Sequence, residues 1–435
     1  MSSSPAVTRV DEFIASLWSA LPPDRIAEGG LARYEVDGLQ PDIAVAPASV
    51  EELQTVLGEA SEAGLAVIPF GGGDHMAAAN LPAAYEVALS LSRLDQGIEH
   101  EPADLTVTVD AGVRLATLQV RLAEKAQHLP LDPPCGDAAT AGGIIAANAF
   151  GPLRHAFGTA RDWLIGIRVA HADGSGSKAG GRVVKNVAGY DMPKLYAGSL
   201  GTLGVITSAT FKLAPLPAAQ ATVAAGFHAA APACTLALAA HDAGLALHAL
   251  ELLSPTAAFA VTGEHRWTVL ARLGGRQGAV DRSLRDLHAL AQEVSASFEI
   301  LDSNQVWPAW RRSFRPSLLS LRAGVRPSRV AETIEVLDRQ FIGAAPLLSA
   351  TVSAGVIRAQ LEPTREKRAG ALTERATEVV ERAGGYLTVD AAPPALKRQI
   401  DVFGAPRPDF AIMRRLKEEF DPKRTLSPGR FAGRL

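Results

Sequence analysis

A short apolar run, Leu65 to Phe70, leads straight into Gly71-Gly72-Gly73-Asp74-His75-Met76. Three glycines directly after a strand can turn a row of backbone N–H groups toward one point, a nest suited to phosphate. The spacing is not G-x-G-x-x-G, and Ala77 to Pro82 is too small and too soon closed by proline to start a strong helix, so a Rossmann unit is excluded. Two readings stay open for the loop: a phosphate cradle of another kind, or a glycine turn that holds no ligand.

The surrounding pattern is regular. Ser49-Val50-Glu51-Glu52 reads as a capping box, and Leu53, Val56, Leu57, Ala60 and Ala63 recur at helical spacing up to Gly64. Leu105 to Ala111 alternates as a strand, and Leu115, Leu118 and Leu122 mark one side of the next helix. A turn-rich segment, Leu131 to Gly143, precedes the apolar Ile144 to Ala149, and its small residues suit close approach to a ligand. Trp163 to His171 reads as a strand and Asp173-Gly174 as a tight turn. In the stretch from Gly180 to Leu213, Gly201-Thr202-Leu203-Gly204 feeds a strand with Val205, Thr207, Ala209, Phe211 and Leu213 on one face. Ala214-Pro215-Leu216-Pro217 stops that strand and is the best domain boundary in the chain. Beyond it, strands near Thr222–Phe227, Trp267–Leu273, Leu318–Leu321 and Ser349–Val356 alternate with helices near Asp281–Val294, Arg329–Phe341 and Arg365–Ala383, without glycine nests. A last helix from Asp409 is read with Ile412, Leu416 and Phe420 on its apolar side. The domains expected are a helical lead-in (1–39), a ligand-binding domain (40–215), an α+β cap (218–408), and a C-terminal helix and tail returning to the first domain (409–435).

With 435 residues and a formal net charge of -3, the chain calls for more than one core and gives no electrostatic case for nucleic acid. The Arg-rich run from Arg311 to Arg329 reads as solvated helix faces. Met1 to Pro23 carries Arg9, Asp11 and Glu12 and is not a secretory signal, and no segment offers some eighteen consecutive apolar residues for a membrane span. Only Cys135 and Cys234 occur, which fits a reducing cytoplasm and falls short of the roughly four thiolates an iron–sulfur cluster needs.

Read together, four stretches resemble the vanillyl-alcohol-oxidase type of FAD-binding fold: Pro69 to Gly73, Pro133 to Gly143, Gly158-Thr159-Ala160-Arg161-Asp162, and Lys185-Asn186-Val187-Ala188-Gly189-Tyr190-Asp191 followed by Gly201 to Ile206. The tail, Phe420-Asp421-Pro422-Lys423 to Pro428-Gly429-Arg430-Phe431, is similar to that of FAD-linked 2-hydroxyacid dehydrogenases. The Lys185 to Asp191 wording is most similar to the FAD-binding subunits of bacterial glycolate oxidases. The fold implied is α+β: a two-subdomain FAD-binding domain followed by an α+β cap. The cofactor implied is FAD, held non-covalently, because Asp74 separates His75 from the glycines where some relatives attach the flavin. The resemblance assigns the pyrophosphate to Gly71, Gly72, Gly73 and Asp74 beside Phe70. It sends the ribityl and pyrophosphate path along Pro134, Gly136, Thr140, Gly142, Gly143 and Asn148. Gly158 and Arg161 would approach the nucleotide or the polar edge of the flavin, and Gly204, Val205 and Ile206 would cover the adenine or flavin.

The His-x-Gly-Asp-Gly-Asn motif by which related dehydrogenases hold substrate and metal is missing between residues 217 and 435, so no metal site is expected. Three readings follow. The chain is a subunit of a glycolate-oxidase-like complex, acting on a 2-hydroxyacid with a second FAD subunit and an iron–sulfur subunit as partners, cytoplasmic or held at a membrane through a partner. Or it is a free-standing FAD-dependent 2-hydroxyacid oxidase or dehydrogenase. Or it is a structural subunit with a degenerate FAD site. For catalysis, Lys185, Tyr190 and Asp191 could orient a hydroxyacid and take its proton, with Arg311 or Arg315 binding its carboxylate. Tyr190 and Asp191 equally suit a purely structural turn, and Trp307 and Trp310 a helix core.

Overall fold

A computed structural model describes residues 8–182, 190–362 and 366–435. Its first part holds two sheets over one shared core. The helix Arg9–Ala20 is opened by Thr8 and Asp11, which cap each other reciprocally, and it buries Phe13 and Leu17. Those side chains join Leu53, Val56, Leu57 and Ala60 of the helix Val50–Ala63 in that core. Only half of the expected capping box forms there. Ser49 accepts from the Glu52 N–H at 3.1 Å. The Glu52 carboxylate accepts instead from the Ala48 N–H at 2.7 Å and the Arg25 Nε at 3.1 Å.

The first sheet runs Ile26–Ala27, Ile43–Val45, Val87–Ser90, Val67–Phe70, parallel except at its short antiparallel edge. That edge strand comes from within the lead-in, which is therefore not purely helical. The second sheet is antiparallel, in the order Ile98–Glu101, Thr106–Asp110, Val205–Lys212, Leu164–Ala170, Gly176–Gly180. Gly174 turns the last pair at φ +82°, where a side chain would be strained.

The remaining large unit is an eight-stranded antiparallel sheet running from Ala219 to Ala391. The helices Ala230–Asp242, Gln277–Glu293, Val330–Gln340 and Glu366–Arg382 pack with it in one large apolar core. A separate smaller core holds the helices Pro255–Thr262 and Ser303–Ser313. There Trp307 and Trp310 are buried and donate to Thr222 Oγ1 at 2.8 Å and Ser349 Oγ at 3.1 Å, so both belong to this core. The sheet also meets the first part of the chain: Arg358 Nη2 donates to the Phe150 carbonyl at 2.8 Å, and His155 Nδ1 lies 2.7 Å from Ser353 Oγ.

The last helix, Phe410–Phe420, departs from its sequence reading. Ile412 is 63% exposed, and the side chain its inner face buries is Lys417. Lys417 Nζ donates to Asp421 Oδ2 at 2.6 Å and to the carbonyls of Thr202 and Leu426 at 2.8 Å each. From there the tail returns to the first sheet, where the Val67 N–H donates to the Thr425 carbonyl at 2.7 Å and the Ser427 N–H to the Val67 carbonyl at 2.9 Å.

The contact between the two parts carries a pH dependence. Burial, with His241 adding to it, pushes the His155 imidazole from the ordinary 6.5 down to about 4. The unfolded chain takes up this proton near 6.5 and the folded chain resists it, so stability held above 6.5 is lost as pH falls toward 4. His155→Asn is expected to lose less melting temperature than the parent between about pH 7 and pH 5, a window set by that linkage. An equal loss in both proteins would assign the acid sensitivity to other groups.

Candidate functional site

The loop after Phe70, the segment Ala139–Ala147 and the turn Leu200–Ile206 enclose a cleft of roughly 770 Å³, partly open to solvent and floored by Arg430. Glycines let its walls close on one another. A Cβ on Gly72 would overlap the Ala138 carbonyl oxygen, one on Gly71 the Thr140 hydroxyl, and one on Gly204 the Val169 side chain. Thr140 itself caps the helix Ala141–Ala147, accepting from the Gly143 N–H at 3.2 Å.

Among the described residues, no protein group accepts a hydrogen bond from the N–H groups of Gly71, Gly72, Gly73, Asp74 or His75. Five consecutive donors beside a cleft are open to an acceptor brought by a ligand. Below them Arg430 is 2% exposed; its Nη2 donates to the Met76 carbonyl at 2.5 Å and its Nη1 is buried without a partner. Burial pushes its guanidinium down to about 10, opposed by Asp37 and Tyr85. Asp74 Oδ1 accepts from the Gly136 N–H at 2.6 Å and lies 3.5 Å from Arg315, while its Oδ2 is buried and unpartnered. Free N–H groups, glycine walls and a buried cation fit a phosphate-bearing cofactor with flat rings.

The candidates from the sequence fall into separate places. Gly71, Gly72, Gly73, Asp74, Thr140, Gly142, Gly143, Gly204, Val205 and Ile206 line the cleft. The Phe70 ring stands edge-on to Tyr34 in a small core, since alternation along the strand points it away from the glycines. Pro134 and Asn148 line a neighbouring chamber. Gly136 supports Asp74 from behind, with Arg315 close by. Gly158, at φ +74°, makes the turn that lets Asp162 cap the helix Ala160–Trp163. Arg161 is exposed, its Nε 3.5 Å from the Lys194 carbonyl.

Of the catalytic candidates, Tyr190 is 91% exposed and Asp191 pairs with Lys194 at 2.6 Å on the surface, and neither lines the cleft. Lys185 lies outside the described residues. Arg311 lines a different cavity with Asp132. Burial pushes the thiols of Cys135 and Cys234 up to about 12, so neither is a reactive thiolate. Among the described residues, no three His, Cys, Asp or Glu side chains stand together as a metal site would need. Sequence reasoning placed Arg430 in a tail motif but not in the site; only its return past Met76 makes it the floor.

The fold is that of p-cresol methylhydroxylase, whose solved structure superposes with a TM-score of 0.75 at 15% identity over 98% of this chain and 97% of that one. The FAD binding domain family matches residues 41–180, and the C-terminal domain family of FAD linked oxidases matches residues 356–431. Residues 41–180 and 356–431 thus match two domains found in FAD-linked oxidases, and the cofactor is FAD. Glycolate oxidase subunit GlcD of Bacillus subtilis is 26% identical over 90% of this chain and 89% of its own length. Glycolate oxidase subunit GlcE of Escherichia coli is 40% identical over 28% of this chain and 35% of its own length.

Proposed function

We propose that this chain is the FAD-binding oxidoreductase subunit of a glycolate-oxidase-like complex, supporting oxidation of a 2-hydroxyacid such as glycolate and passing electrons to a partner. The reading rests on one observation above all: the glycine-walled cleft with its row of unbonded N–H groups lies directly against a polar chamber, the two sharing His75. Similarity to two glycolate oxidase subunits supports this choice of substrate class and complex.

Oxidising a 2-hydroxyacid to the 2-oxoacid removes the hydroxyl proton and, from the carbon, a hydrogen together with the two electrons of its bond. Bound FAD supplies the electron-accepting chemistry. The loop from Gly71 to His75 and Arg430 hold and neutralise its phosphates, non-covalently since Asp74 separates the glycines from His75. His75 stands at the junction of the two spaces. Burial chiefly, with Arg322 adding, holds its imidazole below the ordinary histidine value against the pull of Asp74 and Asp390. A neutral imidazole there can take the hydroxyl proton.

Two cysteines fall short of the roughly four thiolates of a cluster, so electrons leave through partners: a second FAD subunit and an iron–sulfur subunit. No helix among the described residues is long and apolar enough to cross a membrane. A cytoplasmic place, with membrane association through a partner, follows from this reading. The purified chain is expected to be yellow and to release its flavin on acid precipitation. Anaerobic glycolate or D-lactate is expected to bleach the flavin once the partner subunits are added. Bleaching by the isolated chain would show a free-standing enzyme, and a colourless chain that does not take up FAD would sink the proposal.

A further inference from the structure

The chamber beside the cleft encloses roughly 430 Å³ and is lined by His75, Asn148, Phe150, Arg322, Arg358 and Asp390, among others. Its arginines are placed against ordinary sheet energetics. Arg322 and Arg358 stand directly opposite each other on the antiparallel strands Leu319–Gly324 and Val356–Leu361, so both side chains leave the same face. Like charges so paired are destabilising. A third guanidinium, from Arg154, joins them around the Phe150 ring, with Cζ atoms at 4.2 Å for Arg154, 4.5 Å for Arg358 and 5.5 Å for Arg322.

Counter-charge is short. Among the described residues Asp390 is bound by Arg322 alone, through Nε at 3.0 and 3.2 Å and Nη2 at 2.9 Å. Glu251, whose charge also reaches Arg358, is occupied by the hydroxyls of Ser349 and Thr351 and is not within ion-pair distance among the described residues. Arg358 is 5% exposed; its Nη2 holds the Phe150 carbonyl and its Nη1 is buried with no partner. The Asn148 side-chain oxygen on the same chamber is likewise buried and unpartnered. A buried guanidinium nitrogen without an acceptor costs free energy unless an anion arrives.

We propose that this chamber is the carboxylate-binding site of the chain, with Arg358 supplying the charge-assisted hydrogen bond, Arg322 held in place by Asp390, and the Asn148 amide available to a neighbouring hydroxyl. The site takes small carboxylates and presents their adjacent carbon toward the His75 junction. It rests on the hydroxyacid reading only for which carboxylate arrives.

The test uses the FAD-loaded full-length chain with oxalate, which has no carbon–hydrogen bond to oxidise, titrated by calorimetry and by perturbation of flavin absorbance. Oxalate is expected to bind the parent, and Arg358→Gln to bind it about 10–100-fold more weakly with flavin content unchanged, the loss typical of a hydrogen bond to a charged group. Should Arg358→Gln fail to fold, Arg358→Lys decides, since it keeps the charge and loses the fork; a roughly tenfold weakening is expected. Unaltered oxalate affinity in the variant that folds, or sulfate binding the parent as tightly as oxalate, overturns the assignment. Oxalate binding lost in Arg358→Gln, in a protein whose flavin glycolate never reduces even with partners, leaves the site standing and removes the oxidation reading.

Discussion

Replacing Lys417 by methionine is expected to destabilise the protein by about 3–5 kcal/mol, the cost of leaving one member of a buried ion pair alone. Asp421 is fully buried, and its two oxygens also accept from the N–H groups of Thr425 at 2.9 Å and Leu426 at 2.8 Å. With the ammonium gone, that carboxylate keeps only backbone donors, and the carbonyls of Thr202 and Leu426 lose theirs. Burial lowers the lysine's own proton affinity and Asp421 restores part of it. Urea unfolding would show an earlier midpoint at unchanged slope. The double variant Lys417→Met, Asp421→Asn should recover part of the loss, because it leaves no isolated charge. An unchanged midpoint in Lys417→Met would mean the staple contributes nothing. Because Thr202 lies in the turn that walls the flavin cleft, weakened FAD retention is expected alongside.

Gly72→Ala is expected to weaken FAD binding about 10–100-fold, from overpacking of roughly 1–3 kcal/mol placed at the site itself. The added methyl would overlap the carbonyl of Ala138 and lie 3.0 Å from the Ala139 nitrogen, all backbone, so the two walls of the cleft must separate. Gly29→Ala is the control, since nothing lies within 4 Å of the added carbon. Flavin absorbance per protein after gel filtration reads the result. Equal flavin content in Gly72→Ala and the parent would show that the glycine loop does not shape the site.

The parts of the site that sequence could reveal are those carried by short-range signals. A strand running into three glycines, a Thr140 cap before Gly142 and Gly143, and an alternating strand entered through Gly204 are readable because backbone freedom and side-chain period are local properties. All three segments do line one cleft. Phe70 belongs to the same motif yet faces the opposite core, which follows from alternation once the strand's exact register is known. The reading of the last helix held for Phe420, which packs against the first core, and failed for Ile412, because the inner face is set by where the Thr202 and Leu426 carbonyls hold Lys417.

By itself the sequence determined an α+β fold that takes FAD, with glycine segments poised to receive it. Tertiary structure alone decided the charges. Strand register set Arg358 opposite Arg322, and chain return brought Arg430 under the glycine loop and Lys417 onto the turn at Thr202. The physical reason is that a charged side chain carries no period or propensity that reveals its partner. Its role is fixed by burial and by which groups distant parts of the chain bring within hydrogen-bond reach.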